Sequence, residues 1–414
     1  MTSFGHCSST EAKPDVRTPL CPAVPPEGLG NTERNGAVHP AKLDDRLPQR
    51  RAAAPYKQRL ALVVVNESER FLTSESATVY DAAAGRSAGA DVVRSKLCDL
   101  VGIEVPIIQA GMSIFTSPAL AAAVADAGAL GSLGAWNRPT DQLRRELGEL
   151  RDLTDRPFAV NHVVPDLNQD AFTATLEHAP AVVSFGLDEA GTDLIKQVHD
   201  AGSLVMQQIT TVDQARSAVE HGADIIIAQG GEAGGYAGTV STLSLVPQVV
   251  DAVHPVPVVA AGGIADGRGI AAAVALGAAG VNIGSRFLAS EESPVGERWK
   301  NGLVTHPSED WIQAGFVNAM NPNPGTLGYR TRLRLLRTEF VERWEARTAE
   351  VENDPAPVLA ELGEAVAAGD REDLLVVGGQ SAGLIRSIEP VAAIVQALIA
   401  EARAALAQSG QFEL

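Results

Sequence analysis

Short apolar runs alternate with helical patterns along the chain from Val105 onward. An alternation of this kind indicates βα units and a parallel sheet. The strand candidates are Val105–Gln109, Leu130–Gly134, Phe158–Asn161, Ala181–Phe185, Leu204–Gln207, Ile225–Gln229, Val256–Ala261 and Gly280–Ile283. About eight strands is the number that closes a barrel. We therefore predict an α/β fold, a parallel (β/α)8 TIM barrel.

The ends of the intervening helices support this order of elements. Ser117 precedes Pro118 at a first helical position, and the Ala-rich stretch that follows ends at Gly128. Such residues are typical of the two ends of a helix. Thr211, with Gln214 three residues later, predicts a capping box.

Outside the barrel the periodicity changes, and this divides the chain into four segments. Residues 1–95 show no sustained period, apart from the apolar run Leu60–Val65, and we predict a largely disordered leader. Residues 96–290 form the barrel. Residues 291–370 contain three tryptophans and a charged stretch, and we predict a helical insertion or lid. Residues 371–414 end in an amphipathic helix that completes the barrel wall.

The composition argues against several kinds of partner and of protein. A net charge of −18 argues against nucleic acid or an anionic membrane as the main partner, and no segment approaches the ~20 apolar residues of a membrane span. The three cysteines, Cys7, Cys21 and Cys98, form neither a disulfide framework nor a metal clip. We predict a cytoplasmic protein that acts on a small molecule; the oligomeric state stays open.

The residues that follow the predicted strands are mostly glycines and amides. Gly262-Gly263 and Gly284-Ser285 follow strands seven and eight, where barrels of this kind usually bind phosphate through backbone N–H groups. Five glycines fall within residues 228–238, which indicates a close approach of backbone to a flat or bulky ligand. Asn161 and Gln207 are amide candidates for binding a heteroaromatic ring. No metal site is predicted, because ligand residues do not recur there at the required spacing.

Several longer segments resemble one enzyme family. These are PIIQAGMSIFTSPALAAAVADAGALGSLG, PFAVNHVVP, AQGGEAGGYAG, PVVAAGGIADGRGIAAAVALGAAGVNIGSRFLASEESP and GGQSAGLI. Together they resemble the nitronate monooxygenase (2-nitropropane dioxygenase-like) family of FMN barrels, which is related to the FabK-type enoyl-ACP reductases. The resemblance runs from about residue 96 to the C-terminus. It implies an FMN site made by Ala110, Gly111, Met112, Asn161, Gln229, Gly234, Gly263, Asn282, Ile283, Gly284, Ser285, Gly379 and Gln380.

One position departs from the family pattern. The family usually has histidine after EAGG, placed to take a proton from a nitroalkane, and this chain has Tyr236. A phenol with a pKa of about 10 is a poor base at neutral pH but a good hydrogen-bond donor. His162 is the nearest alternative base. We therefore expect Tyr236 and His162 to be the catalytic candidates.

Three functions remain open at this point. The resemblance implies FMN-dependent oxidation of a nitronate or similar carbanionic small molecule with O2. A second possibility is an enzyme whose flavin is reduced by NAD(P)H and passes electrons to a quinone or an enoyl thioester. The third is a flavin-binding protein without turnover, suggested by Tyr236.

Overall fold

The computed structural model describes residues 94–320 and 331–410. The predicted leader, residues 1–95, lies almost entirely outside the described residues, as do Leu60–Val65, Cys7 and Cys21. Cys98 is buried and free.

Eight parallel strands form one sheet within the described residues, and they are the eight predicted from the sequence. Their spatial order is β1-β9-β8-β6-β5-β4-β3-β2. A bridge between Ile108 and Leu130 joins β1 to β2, with the Gln109 N–H donating to the Leu130 carbonyl at 2.9 Å. The sheet therefore closes into the predicted barrel. The strands are β1 Ile107–Gln109, β2 Gly131–Gly134, β3 Phe158–Val163, β4 Val182–Gly186, β5 Leu204–Ile209, β6 Ile225–Gln229, β8 Val258–Ala261 and β9 Gly280–Ile283.

Successive strand residues point alternately into the barrel and toward the helices. The interior core includes Ala159, Met206, Ile227 and Val259, and it packs with Leu97 of the first helix. The other face of the sheet forms a larger core with the surrounding helices. These are α1 Lys96–Val101, α2 Pro118–Asp126, α3 Thr140–Leu153, α4 Gln169–Glu177, α5 Thr192–Asp200, α6 Val212–His221, α7 Thr242–Val253, α8 Gly267–Ala275 and α9 Ser285–Leu288.

The predicted helix ends are present. The Ser117 hydroxyl accepts a hydrogen bond from the Leu120 N–H, and Pro118 begins α2. Thr211 and Gln214 form the capping box of α6, which Gly222 ends at φ 106°. The local signals in the sequence therefore place these helices correctly.

The last helix completes the barrel wall. Val391–Ser409 has a mean hydropathy of 1.4, and among the described residues it is the one helix long and apolar enough to cross a membrane. Its residues Ile394, Val395 and Leu398 are buried in the barrel's outer core. The helix also approaches α8 closely, since a Cβ on Gly267 would lie 2.1 Å from the Ala402 nitrogen. The helix therefore packs on the outer core of the barrel and against α8.

The insertion is helical, as predicted, but it also contributes two strands. Its helices are α10 Glu297–Thr305, α11 Gly315–Met320, α12 Glu339–Glu345, α13 Thr348–Asn353, α14 Ala356–Ala368 and α15 Arg371–Leu374, with the wall helix Val391–Ser409 following as α16. Within the described ranges, β10 (Trp311–Ala314) and β11 (Arg332–Leu336) form an antiparallel sheet with β7 (Gly235–Ala237) in the order β10-β11-β7. The glycine-rich segment after β6 is therefore partly a strand, and the insertion pairs with it directly.

Candidate active site

A cavity of about 290 Å³ lies at the carboxyl ends of the barrel strands. The wall contains most of the residues that the sequence predicted for a cofactor site: Ala110, Gly111, Met112, Asn161, Gln229, Gly234, Asn282, Gly284 and Ser285. Gly263, Ile283, Gly379 and Gln380 do not line it, although their neighbours Gly262, Gly378 and Ser381 do. The structure thus brings the predicted residues to one end of the barrel.

Side chains along β3 point alternately into the barrel and toward the helices, so the neighbouring candidates Asn161 and His162 face opposite ways. Asn161 lines the cavity, and its Nδ2 donates to the Ser184 hydroxyl at 3.2 Å. His162 points the other way: it is 3% exposed, its Nε2 lies 3.0 Å from Thr175 Oγ1, and its ring packs edge-on against Phe172. Burial lowers the pKa of His162 to about 4. The expectation that His162 serves as the alternative base is therefore corrected: it is a neutral side chain in the layer between sheet and helices.

The same alternation corrects a second expectation. Gln207 is 1% exposed and faces outward, where its side chain accepts from the Ala190 N–H at 3.0 Å and donates to the Asp188 carbonyl at 2.9 Å. Its neighbour Gln208 lines the cavity. Gln207 therefore fixes the chain after β4, and Gln208 is the amide available to a ligand.

Two buried amide oxygens in the cavity wall lack partners. Among the described residues, no hydrogen-bond donor reaches Gln229 Oε1 or Asn282 Oδ1, although both atoms are buried. A buried acceptor without a donor costs about 1–3 kcal/mol, so such atoms indicate a missing ligand. FMN carries suitable donors in its ring N–H and its ribityl hydroxyls. The two amide oxygens therefore fit the cofactor that the resemblance implied.

The two glycine turns also suit a bound phosphate. Gly262 and Gly263 have φ values of 97° and 77°, which favour glycine. A Cβ on Gly262 would lie 3.0 Å from the backbone nitrogen of Ala233, so the turn packs closely on the glycine-rich segment. After β9, the Ser285 hydroxyl accepts a hydrogen bond from the Gly379 N–H at 2.8 Å. These contacts join the exit of β8 to the glycine-rich segment and the exit of β9 to the segment at Gly379.

Glu232 fixes the glycine-rich segment. Its carboxylate accepts hydrogen bonds from the Thr242 N–H and from the Thr242 hydroxyl, both at 2.9 Å. Its backbone carbonyl accepts from the Gln380 N–H at 2.9 Å. Glu232 therefore orders the turn, and Gln380 contributes through its backbone.

Arg334 of β11 anchors the same segment, and it was not among the residues predicted for the site. The buried guanidinium donates to the carbonyls of Gly231 and Trp311, both at 2.6 Å, and to the Ala233 carbonyl at 3.1 Å. Burial lowers the pKa of Arg334, and the charge of Glu232 acts in the opposite direction. Because Arg334 lies opposite Gly235 in the small sheet, it fixes the strand that carries Tyr236.

Tyr236 faces the cavity from β7. It lies opposite Leu333 of β11, and both side chains line the cavity. Burial raises the pKa of the Tyr236 phenol above 10.0, and the charge of Asp166 adds to the rise. Asp166 in turn accepts a hydrogen bond from Trp136 Nε1 at 3.2 Å. Tyr236 is therefore a protonated donor at neutral pH.

The insertion forms the opposite wall. Together with the segment that follows it, the insertion contributes mostly aliphatic side chains, one aromatic ring and one cation: Val317, Met320, Leu333, Leu362, Leu375, Val377, Trp299 and Arg371. Within the described part of the chain, Arg371 is the only charged side chain that lines the cavity. The sequence predicted the insertion as a whole but none of these residues.

Comparisons with known proteins agree with this site. A (3aS,4S,5R,7aS)-5-hydroxy-7a-methyl-1-oxo-octahydro-1H-indene-4-carboxyl-CoA dehydrogenase from Rhodococcus jostii is 38% identical over 234 residues, which are 55% of this chain and 64% of that protein. A probable nitronate monooxygenase from Staphylococcus saprophyticus is 31% identical over 308 residues, covering 63% of this chain and 83% of that protein. The structure of FabK from Thermotoga maritima is 38% identical, with a TM-score of 0.68, and covers 77% of this chain and 99% of that one.

The family comparison covers the whole site. The model of the nitronate monooxygenase family matches residues 94–401, which include the barrel, the insertion and the cavity between them. The relatives named above include a dehydrogenase and a probable monooxygenase, both oxidoreductases. This chain is an oxidoreductase that belongs to the nitronate monooxygenase family.

Proposed function

We propose that this enzyme binds FMN in the cavity and oxidises a nitronate, or a similar carbanionic small molecule, with O2. The cavity-lining amides Asn161, Gln229 and Asn282 would bind the ring and the ribityl chain. The turns at Gly262-Gly263 and Gly284-Ser285 would bind the phosphate. FMN, when bound, supplies a ring that accepts two electrons from the substrate and passes them to O2.

The observation that carries the proposal is the protonated phenol of Tyr236 in the cavity wall. With a pKa above 10.0, this group donates a hydrogen bond but does not remove a proton from carbon at neutral pH. A nitronate is already deprotonated at carbon and carries negative charge on its oxygens. Tyr236 therefore suits a substrate that arrives as an anion, and it would orient that anion by donating to an oxygen.

The walls of the cavity support the same chemistry. The barrel side provides neutral amides and glycine backbone, and the insertion side is mostly aliphatic. A cavity of this composition excludes water and strengthens each hydrogen bond to an anionic substrate. The chain thereby orients the substrate and leaves electron transfer to the cofactor.

A second candidate is reduction of an enoyl thioester or a quinone at the expense of NAD(P)H. The similarity to FabK over 99% of that structure, and to a carboxyl-CoA dehydrogenase, favours it. In that reaction Tyr236 would donate to a substrate carbonyl. Rapid mixing of the anaerobic enzyme with propyl nitronate, NADH or NADPH separates the two candidates. Loss of the flavin colour with a reduced nucleotide and not with the nitronate would overturn the first.

The visible spectrum tests the cofactor before any assay. Protein purified with FMN is expected to be yellow, and heating should release FMN, identified by its chromatographic retention. Protein that stays colourless after incubation with FMN would refute both candidates.

Tyr236→Phe tests the role of the phenol. A hydrogen bond to a charged group contributes about 1.5–3 kcal/mol, so kcat/KM for propyl nitronate should fall about ten- to a hundredfold. Because the pKa of Tyr236 lies above 10.0, the wild-type rate should show no alkaline fall from this group below pH 10. Oxygen consumption and nitrite release measure both effects.

The matched variant Tyr236→His introduces an imidazole at the same position. It should gain activity toward neutral nitropropane, which requires removal of a proton from carbon, while the phenylalanine variant should not. Unchanged kcat/KM in Tyr236→Phe would show that the phenol makes no contact with the substrate.

A further inference from the structure

The cavity has a charged end that the proposed reaction does not use. It extends from the barrel strands between the aliphatic residues of the insertion, among them Val317, Met320 and Leu362, and reaches Arg371 at the start of α15. A second hollow of about 380 Å³ adjoins it. The two share Ile114, Phe115, Trp299 and Arg371. Arg371 therefore lies at the junction between the cavity and the second hollow.

The guanidinium of Arg371 forms no ion pair with any side chain that the structure describes. Among the described residues, no carboxylate lies within 4.0 Å of it, and its recorded side-chain contact is the ring of Phe115, 5.9 Å from the guanidinium carbon to the ring centroid. The acids beside it in sequence have other partners, although Glu372 also lines the second hollow. Asp370 pairs with Arg298 at 3.1 Å, and Glu372 accepts from the Gly296 N–H at 2.9 Å.

Other buried or half-buried arginines in the molecule have their donors occupied. Arg334 donates to three carbonyls, and Arg286 donates to the Ser387 carbonyl at 2.8 Å and to Glu389 at 3.0 Å. Arg371 is half-buried like these but differs in having no such partners. A half-buried cation of this kind is expected to bind an anion from outside the chain.

We propose that Arg371 binds an anionic group, carboxylate or phosphate, on a substrate whose apolar part lies along the insertion wall. The aliphatic residues between Tyr236 and Arg371 suit such an apolar part. The planar guanidinium, held against the ring of Phe115, presents two parallel donors to an oxyanion. The inference deepens the proposed function and rests on it only in taking this cavity as the substrate site.

Binding of unreactive probes tests the inference without turnover. Hexanoate, hexyl phosphate and hexan-1-ol are titrated calorimetrically into the FMN-loaded enzyme. One or both anions should bind more tightly than the alcohol, and the tighter of the two identifies the preferred anion. Arg371→Met should raise the Kd of that anion about ten- to a hundredfold, as expected for loss of a charge-assisted bond, and leave the alcohol unchanged. Arg371→Lys should recover part of the affinity.

Arg298→Met is the matched control. It removes an exposed cation near Arg371 that lines neither hollow, so the Kd values of the three probes should not change. Melting temperatures of all variants show whether each is folded.

Three results would overturn the inference: equal binding of alcohol and anions to the wild type, unchanged anion binding in a folded Arg371→Met variant, or loss of FMN affinity in place of anion affinity. The last would assign Arg371 to the cofactor. Failure of nitronate oxidation alone would refute the proposed reaction and leave the binding result standing.

Discussion

The cavity lies between two regions that differ in chemistry. The barrel side offers amides, glycine turns and no charge, through residues such as Asn161, Gln229 and Gly262. The insertion side offers aliphatic side chains and one arginine, Arg371. The barrel side suits a cofactor with many polar atoms, whereas the insertion side suits the variable part of a substrate. We therefore propose that cofactor binding and substrate binding are carried by two separate parts of the chain.

The small antiparallel sheet joins these regions. Its strand β7 leaves the barrel in the glycine-rich segment, and β10 and β11 belong to the insertion. Tyr236 lies on β7, at the boundary, so its position depends on both regions. Changes that separate the barrel from the insertion should therefore affect Tyr236 more than changes confined to either.

Arg334→Met should have the largest effect, because it breaks this connection. The variant leaves the carbonyls of Gly231, Ala233 and Trp311 without their donor. A buried acceptor left without its donor costs about 1–3 kcal/mol, and three carbonyls are affected, so we expect the free energy of unfolding to fall by about 3 kcal/mol or more. Urea denaturation measures it, and kcat should fall because the strand that carries Tyr236 loses its anchor.

Arg337→Met is the control for this change. Arg337 directly follows β11 and is exposed, with one side-chain bond to the Glu309 carbonyl at 3.2 Å. Its removal should change stability by less than about 0.5 kcal/mol. Equal stability of the two variants would show that Arg334 does not hold the two regions together.

Gly234→Ala should have the next largest effect, on the barrel side. A Cβ at this position would lie 2.8 Å from the carbonyl carbon of Gly378 and from the nitrogen of Gly379. Backbone must shift to make room, which typically costs about 1–3 kcal/mol. Because both segments lie at the cavity, the Kd for FMN should also rise. Fluorescence titration of FMN and urea denaturation measure the two effects.

Gly363→Ala provides the contrast in the insertion. Gly363 is exposed within α14, and a Cβ there meets nothing within 4 Å. Alanine is favoured over glycine inside a helix by about 1 kcal/mol, so this variant should be slightly more stable with an unchanged Kd for FMN. A Gly234→Ala variant that behaves like Gly363→Ala would contradict the close approach at the cavity.

The barrel could be predicted because its signals are local. Each strand is a short apolar run, each helix has its own end residues, and glycines mark the strand exits. Which side chains at a strand end face the barrel interior could not be predicted in the same way. Both faces of a buried parallel strand are apolar, so nothing in the sequence tells whether Asn161 or His162 faces inward. For the same reason we predicted Gln207 as a ligand-binding amide, whereas Gln208 is the residue that lines the cavity.

The strands and the two important arginines outside the barrel could not be predicted, for a different reason. β11 pairs with β10 and with β7, a strand that lies much earlier in the chain, so its strand character comes from non-local contacts. Arg334 and Arg371 belong to a charged part of the sequence in which most arginines are exposed. The role of Arg334 follows from the backbone carbonyls near it. The role of Arg371 follows from the absence of carboxylates near it among the described residues. The residue pattern shows neither feature.

The smallest expected effect is on the pH dependence of stability, and it comes from His162. Measuring it tests which residues of β3 face the barrel interior and which face the helices. The pKa of His162 is lowered from 6.5 to about 4 in the folded protein. Above pH 6.5 both states are neutral and the group has no effect. As the pH falls from about 6.5 toward about 4, the unfolded chain takes up a proton that the folded protein excludes, so stability decreases. Between pH 7 and pH 5.5 this linkage should cost about 1 kcal/mol.

His162→Leu should remove this contribution. The hydroxyl of Thr175 still donates to the Ala171 carbonyl at 3.1 Å, so the change leaves no orphaned donor. Comparing urea midpoints of the variant and the wild type at both pH values cancels the titration of all other groups. The pH dependence of kcat/KM should be the same in both proteins, since His162 lies outside the cavity. A variant with the wild-type stability slope but an altered rate profile would mean that the imidazole reaches the substrate, and the inward and outward faces of β3 would have to be exchanged.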